Sequence, residues 1–131
     1  MDLDREPQQM ARAGAEEIRC LNHRTLNSGS YTYPGQVAAT AEALRELASR
    51  LPQAFQQMRT GLAELDRAGK IRMENGSEPH PHAVAVARHL EEAERAATAM
   101  YAALRETHST LFSMGMPWEY AEDDEDEVVP N

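Results

Sequence analysis

Every seventh residue from Val37 to Leu65 is apolar (Val37, Leu44, Leu51, Met58, Leu65), and the spacing returns in Ala83, Leu90, Ala97, Leu104 and Leu111. A period of seven held over five repeats belongs to an α-helix, because a strand alternates every second residue. In the first run Leu47, Ala54 and Ala68 stand three residues further on, and Ala41, Ala48, Phe55 and Leu62 stand four further on. In the second run Val86, Ala93, Met100, Thr107 and Met114 take the first of these places, with Ala87, Tyr101 and His108 beside them. Stripes this broad mark core-facing helices. Pro34 suits a first helical turn and Gly69 a helix stop, while Gly115 and Pro117 close the second run. Helices are therefore expected over 34–68 and 79–114, each roughly 50 Å long.

Only a short connector, 70–78, separates them, and it contains the turn dipeptide Asn75-Gly76. Two helices of matched length joined this way predict a long antiparallel, coiled-coil-like hairpin. The alanines along both stripes let two backbones approach closely. Glu46 with Arg50 and Glu91 with Arg95 are spaced for i,i+4 ion pairs. Pro52 interrupts the first run, and a proline inside a helix costs roughly 3 kcal/mol. The heptad stays in phase across it, from Leu51 to Met58, which favours one kinked helix over two separate ones.

A shorter stripe, Met10, Gly14, Ile18 and Leu21, predicts a helix over about 6–23. Cys20, the only cysteine, excludes an internal disulfide and on a helical pattern is expected to be a small core residue. Residues 27–33 read as a loop. The fold class is all-α, with a helical domain over 1–118. This first helix reaches only about half the length of the long pair, so it can cover part of their stripes at most. A second copy of the chain is the simplest cover for the rest, which makes a homodimeric bundle the expected assembly.

Charge now matters. The formal net charge is −9, yet residues 119–127 carry seven carboxylates and no basic side chain. Removing them leaves 15 acidic against 13 basic residues, a nearly neutral body. Six carboxylates in a row repel one another and resist burial, so an acidic, disordered tail is expected over 119–131. The acidic start of the chain has no secretory pattern and no apolar run approaches the roughly 18 residues of a membrane span, so a cytoplasmic protein is expected.

Three stretches, 17–25 (Glu-Ile-Arg-Cys-Leu-Asn-His-Arg-Thr), 31–34 (Tyr-Thr-Tyr-Pro) and 51–53 (Leu-Pro-Gln), carry a resemblance. With the alanine-rich third helix, the chain resembles uncharacterised small helical proteins of actinobacteria, some associated with plasmids or phages. The resemblance spans about residues 16–114 and implies an all-α fold. It brings no catalytic or binding residue.

The chemistry-bearing residues are sparse. His80 and His82 flank Pro81 at a helix start and His89 lies seven beyond His82, so with Glu78 a zinc or nickel site can be drawn. That spacing fixes no geometry, and solvated histidines near the cap are the simpler reading. His108 falls on the apolar side of its helix, where a satisfied buried histidine is simpler than a general base. No nucleophile motif or phosphate-cradling glycine loop is present, and neither catalytic residues, cofactor nor metal is assigned. Arg5, Arg12 and Arg19 form a stripe that suits phosphates or an acidic partner, but also an ordinary solvated face. The near-neutral body and the absence of a compact recognition helix argue against nucleic acid.

The candidate partner-binding residues lie near the end of the chain. Trp118 and Tyr120 directly precede Glu122, Asp123, Asp124, Glu125, Asp126 and Glu127. Aromatic side chains beside a carboxylate run suit docking into a basic groove on another protein. Alternatively Trp118 folds back over the end of the bundle. A non-enzymatic interaction or scaffold protein is the leading expectation. The alternative is a nucleic-acid-related regulator whose acidic tail competes for a basic surface. A secretion-associated helical hairpin shares the size but needs a Trp-x-Gly turn, and Glu74 stands two residues before Gly76.

Overall fold

The computed structural model describes residues 1–115, which form three helices and no strand. Helix α1 spans Pro7–Arg24, α2 Pro34–Arg67 and α3 Pro79–Leu111. None is long and apolar enough to cross a membrane. The all-α expectation holds, and the helix limits agree with the periodicity to within three residues.

Each helix begins with a proline in its first turn, where the missing N–H has no intrahelical partner to lose. At α1 the Glu6 N–H donates to Gln9 Oε1 at 2.8 Å. At the end of α2, Gly69 takes φ +69°, and the Lys70 N–H reaches back to the Leu65 carbonyl at 3.0 Å. The Gly69 N–H bonds the Asp66 carbonyl at 3.1 Å, so two of the orphan carbonyls at the helix end are satisfied. The connector then turns at Gly76, φ +76°, whose N–H bonds the Met73 carbonyl at 3.0 Å. The Asn75 side chain accepts the Ser77 N–H at 3.0 Å and fixes the turn.

Helix α2 passes through Pro52 as one element. The proline withdraws the N–H that would serve the Ala48 carbonyl, a local loss offset by continuous packing on both sides. Helix α3 ends at Leu111 rather than Met114. Its last turn tightens instead: the Ser113 and Met114 N–H groups bond the Thr110 and Leu111 carbonyls at 3.1 and 3.0 Å.

Helices α2 and α3 pack on each other along their length, and α1 packs on neither. The buried apolar residues are three alanines, Ala41 and Ala48 of α2 and Ala97 of α3. Leu44, Leu51, Phe55, Leu62, Leu90, Leu104 and Leu111 are half-buried around them. Helices meeting on alanine approach closely and gain dispersion contacts between backbones, but bury little area per residue.

Two expectations fail because α1 stands apart. It does not cover the long stripes, and Cys20 is exposed rather than a core residue. Met10, Ile18 and Leu21 stay half-buried. Only the last turn of α1 nears α2, across a shallow cleft between Leu21 and Arg24 on one side and Gln36 and Thr40 on the other.

Candidate functional site

The broad apolar stripe of α2 does not point as a whole at α3. The row Ala41, Ala48, Phe55, Leu62 faces the partner helix. Arg45, Arg59 and Asp66 flank that row on one side, and Val37, Leu44, Leu51, Met58 and Leu65 flank it on the other. The pair therefore has two dissimilar flanks.

The first flank is polar and closed by bonds between the helices. Near the connector, His80 Nδ1 and Asp66 Oδ2 are 2.6 Å apart. In the middle, Arg59 donates to Glu91 at 3.3 Å and to Glu94 at 2.5 Å. At the far end His108 Nδ1 lies 3.3 Å from Glu42 Oε2, and Arg45 holds the other oxygen of the same carboxylate at 2.5 Å. These contacts run in opposite chain directions on the two helices. The Arg45 hydrogen bond holds the Glu42 carboxyl below its ordinary pKa, against the smaller effect of burial. The Asp66 hydrogen bond, with its charge, holds His80 above the ordinary histidine value. Glu42 Oε2, His108 Nδ1 and Arg59 Nε are buried without a well-formed hydrogen bond. Beside Arg59 a polar cleft of about 440 Å³ opens between Glu91, Glu94, Arg95 and Thr98.

The second flank is apolar and open. Val37, Met58 and Leu65 of α2, Val86 and Met100 of α3, and Met114 just beyond the end of α3 are all exposed. Val37 and Met114 line one cleft with Leu111, which places the two rows on the same side of the pair. The register of the ion pairs sets Val37 level with Met114, Leu44 with Thr107, Leu51 with Met100, Met58 with Ala93 and Leu65 with Val86. None of these ten residues is Asp, Glu, Lys or Arg. The result is an uncharged ladder about 40 Å long.

The residues singled out by sequence are dispersed. Trp118, Tyr120, Glu122, Asp123, Asp124, Glu125, Asp126 and Glu127 lie outside the described residues. His80, His82 and His89 go to separate partners, respectively Asp66, Ser77 at 3.0 Å and Glu92 at 3.8 Å. Among the described residues, no three His, Cys, Asp or Glu side chains gather as a metal site. His108, expected as a satisfied buried histidine, is only half-buried, and it sits on the polar flank against Glu42 with its Nδ1 lacking a well-formed hydrogen bond and the Phe112 ring 6.0 Å away. Arg5 and Arg19 of the basic stripe pair with Asp2 and Glu16 at 3.5 and 2.6 Å. Glu46 and Arg50 pair along α2 at 3.1 Å. Glu91 instead bonds across the seam to Arg59, because that guanidinium is already held by Glu94 one turn away.

The Arg59 network was missed by sequence reasoning. Its signal was Glu94, the single carboxylate in the row of Ala87, Tyr101 and His108. No family model, curated protein or solved structure matches the chain.

Proposed function

We propose that this chain is a non-enzymatic interaction or scaffold protein, whose α2–α3 hairpin presents the uncharged ladder to another helical surface. The observation that carries this reading is the contrast between flanks. A flank closed by cross-helix ion pairs has opposite charges partnered within the chain. A flank of exposed valine, leucine and methionine running the length of both helices has not, and contiguous apolar surface of this kind marks sites of association. Methionine adapts to irregular partner surfaces, which suits a docking face.

The acidic segment, with Trp118 and Tyr120 ahead of Glu122 to Glu127, is a second contact in this proposal, for a basic groove on a protein partner. Its seven carboxylates would speed encounter and give binding a strong salt dependence. Outside the acidic segment the chain carries 15 acidic against 13 basic residues, a near-neutral balance that favours a protein partner over nucleic acid.

A photo-crosslinking amino acid placed at Met58, and separately at Arg95, tests the reading in living cells. Protein adducts are expected from Met58 and few from Arg95. Equal yields, or none from Met58, would remove it. Deleting 119–131 should lower salt-sensitive binding to a basic protein while leaving the Met58 adducts in place.

A further inference from the structure

We infer that the surface covering the ladder is a second copy of this chain, packed with its long helices reversed so that the Val37–Met114 end of one copy lies over the Leu65–Val86 end of the other. The inference rests on the docking face proposed above and names its occupant.

Three observations carry it. The first is area. A face about 40 Å long and two helices wide, roughly 18 Å with axes 8–10 Å apart, buries about 700 Å² per copy. The total, about 1,400 Å², falls within the range of stable interfaces. Helix α1 is a poorer cover, since it has 18 residues and brings only Met10, Ile18 and Leu21 to its stripe.

The second is self-complementarity. A two-fold axis across the ladder at Leu51 and Met100 sets each of these residues against its own counterpart. It sets Val37 against Leu65 and Leu44 against Met58 on the α2 side, and Met114 against Val86 on the α3 side. No rung brings a charge into the interface, and Ala93 opposite Thr107 leaves room for close approach.

The third is charge, and it chooses the direction. The carboxylate-rich segment begins five residues beyond Met114 in the chain, so each copy's acidic charge is tethered at the Met114 end of its ladder. With the helices reversed, the two Met114 residues that lead into the acidic segments lie about 40 Å apart, several Debye lengths at physiological salt. With both copies pointing the same way, the two Met114 residues would meet at one end and tether seven carboxylates of each chain to the same place. Four helices then alternate in direction around one core, with the ion-paired flanks outside.

The test uses the full chain. Sedimentation should give twice the 14.6 kDa chain mass. Met58→Glu and Met100→Glu, both at sites exposed in a single copy (55% and 41%), should each halve that mass while retaining helicity. Arg95→Ala, on the polar flank, should leave it unchanged. Orientation is read by cysteine pairing in a Cys20→Ser background. Leu51→Cys should oxidise to a cross-linked dimer alone. Val37→Cys and Leu65→Cys should cross-link only when mixed. A monomer at every concentration, or a dimer indifferent to both glutamates, overturns the inference. Val37→Cys cross-linking to Met114→Cys instead of Leu65→Cys overturns the reversed arrangement. Adducts from Met58 to other proteins, with a monomeric chain, would overturn the dimer and leave the docking face standing.

Discussion

Met58 and Arg59 are neighbours in the chain, yet they face different worlds. Arg59 points along the polar flank to Glu91 and Glu94, and Met58 stands more than half exposed on the open one. One helix step is about 100°, enough to move a side chain from one edge of a seam to the other. The polar flank is closed by ion pairs within the chain and the apolar flank is open. The contrast shows that a heptad stripe, read as one core-facing surface, divides into a part that packs between the helices and a part that stays exposed.

The seam between the flanks should be the most sensitive place. Ala48→Leu inserts a larger side chain where no space is exposed, and a loss of about 2 kcal/mol is expected in denaturant unfolding. Little or no loss would mean that the helices are not in close contact there. Next comes Arg59→Ala, which leaves Glu91 and Glu94 without their partner and should cost about 1 kcal/mol at low salt. Added salt should narrow the gap to the unmodified chain. Met58→Gln should behave in the opposite way: its Tm should lose any dependence on protein concentration, which Arg59→Ala keeps.

A smaller effect is expected from pH. Because Asp66 raises the folded-state pKa of His80, the pair adds stability fully below the ordinary histidine value of about 6.5. That contribution fades as pH rises through the higher folded value. The Tm gap between the unmodified chain and His80→Asn should therefore shrink from pH 6 toward pH 9. A gap that widened would contradict the pairing. Cys20→Ser, on the unpacked α1, should change stability by less than about 0.5 kcal/mol.

Much of the fold was legible in the sequence because it depends on local signals. Pro34, Gly69, Pro79 and the seven-residue spacing mark the long helices nearly to the residue, and Asn75-Gly76 marks the turn. The position of α1 was not legible, since a narrow stripe of Met10, Ile18 and Leu21 shows amphipathicity without saying what it meets. The division of the flanks was hidden for a related reason. Which row of a wide stripe faces the neighbour depends on helix rotation, and rotation is set by cross-helix pairs such as Glu42–His108, 66 residues apart in the chain. The candidate partner-binding residues, Trp118, Tyr120 and Glu122 to Glu127, lie outside the described residues.

The alanine seam has a consequence for how the two helices find their alignment. A row of apolar side chains repeating every seven residues meets another apolar row after a slip of one heptad, so the hydrophobic pattern alone would accept several registers. The polar flank would not. Slipping α3 by seven residues brings Thr98 and Tyr101, or Val84 and Ala87, to Arg59 in place of its two carboxylates. The same slip offers Asp66 an alanine or Met73 instead of His80. These bonds contribute modestly to stability, but they act as the teeth of a key: they admit one alignment of an otherwise repetitive surface, and so decide which side chains stand on the open face.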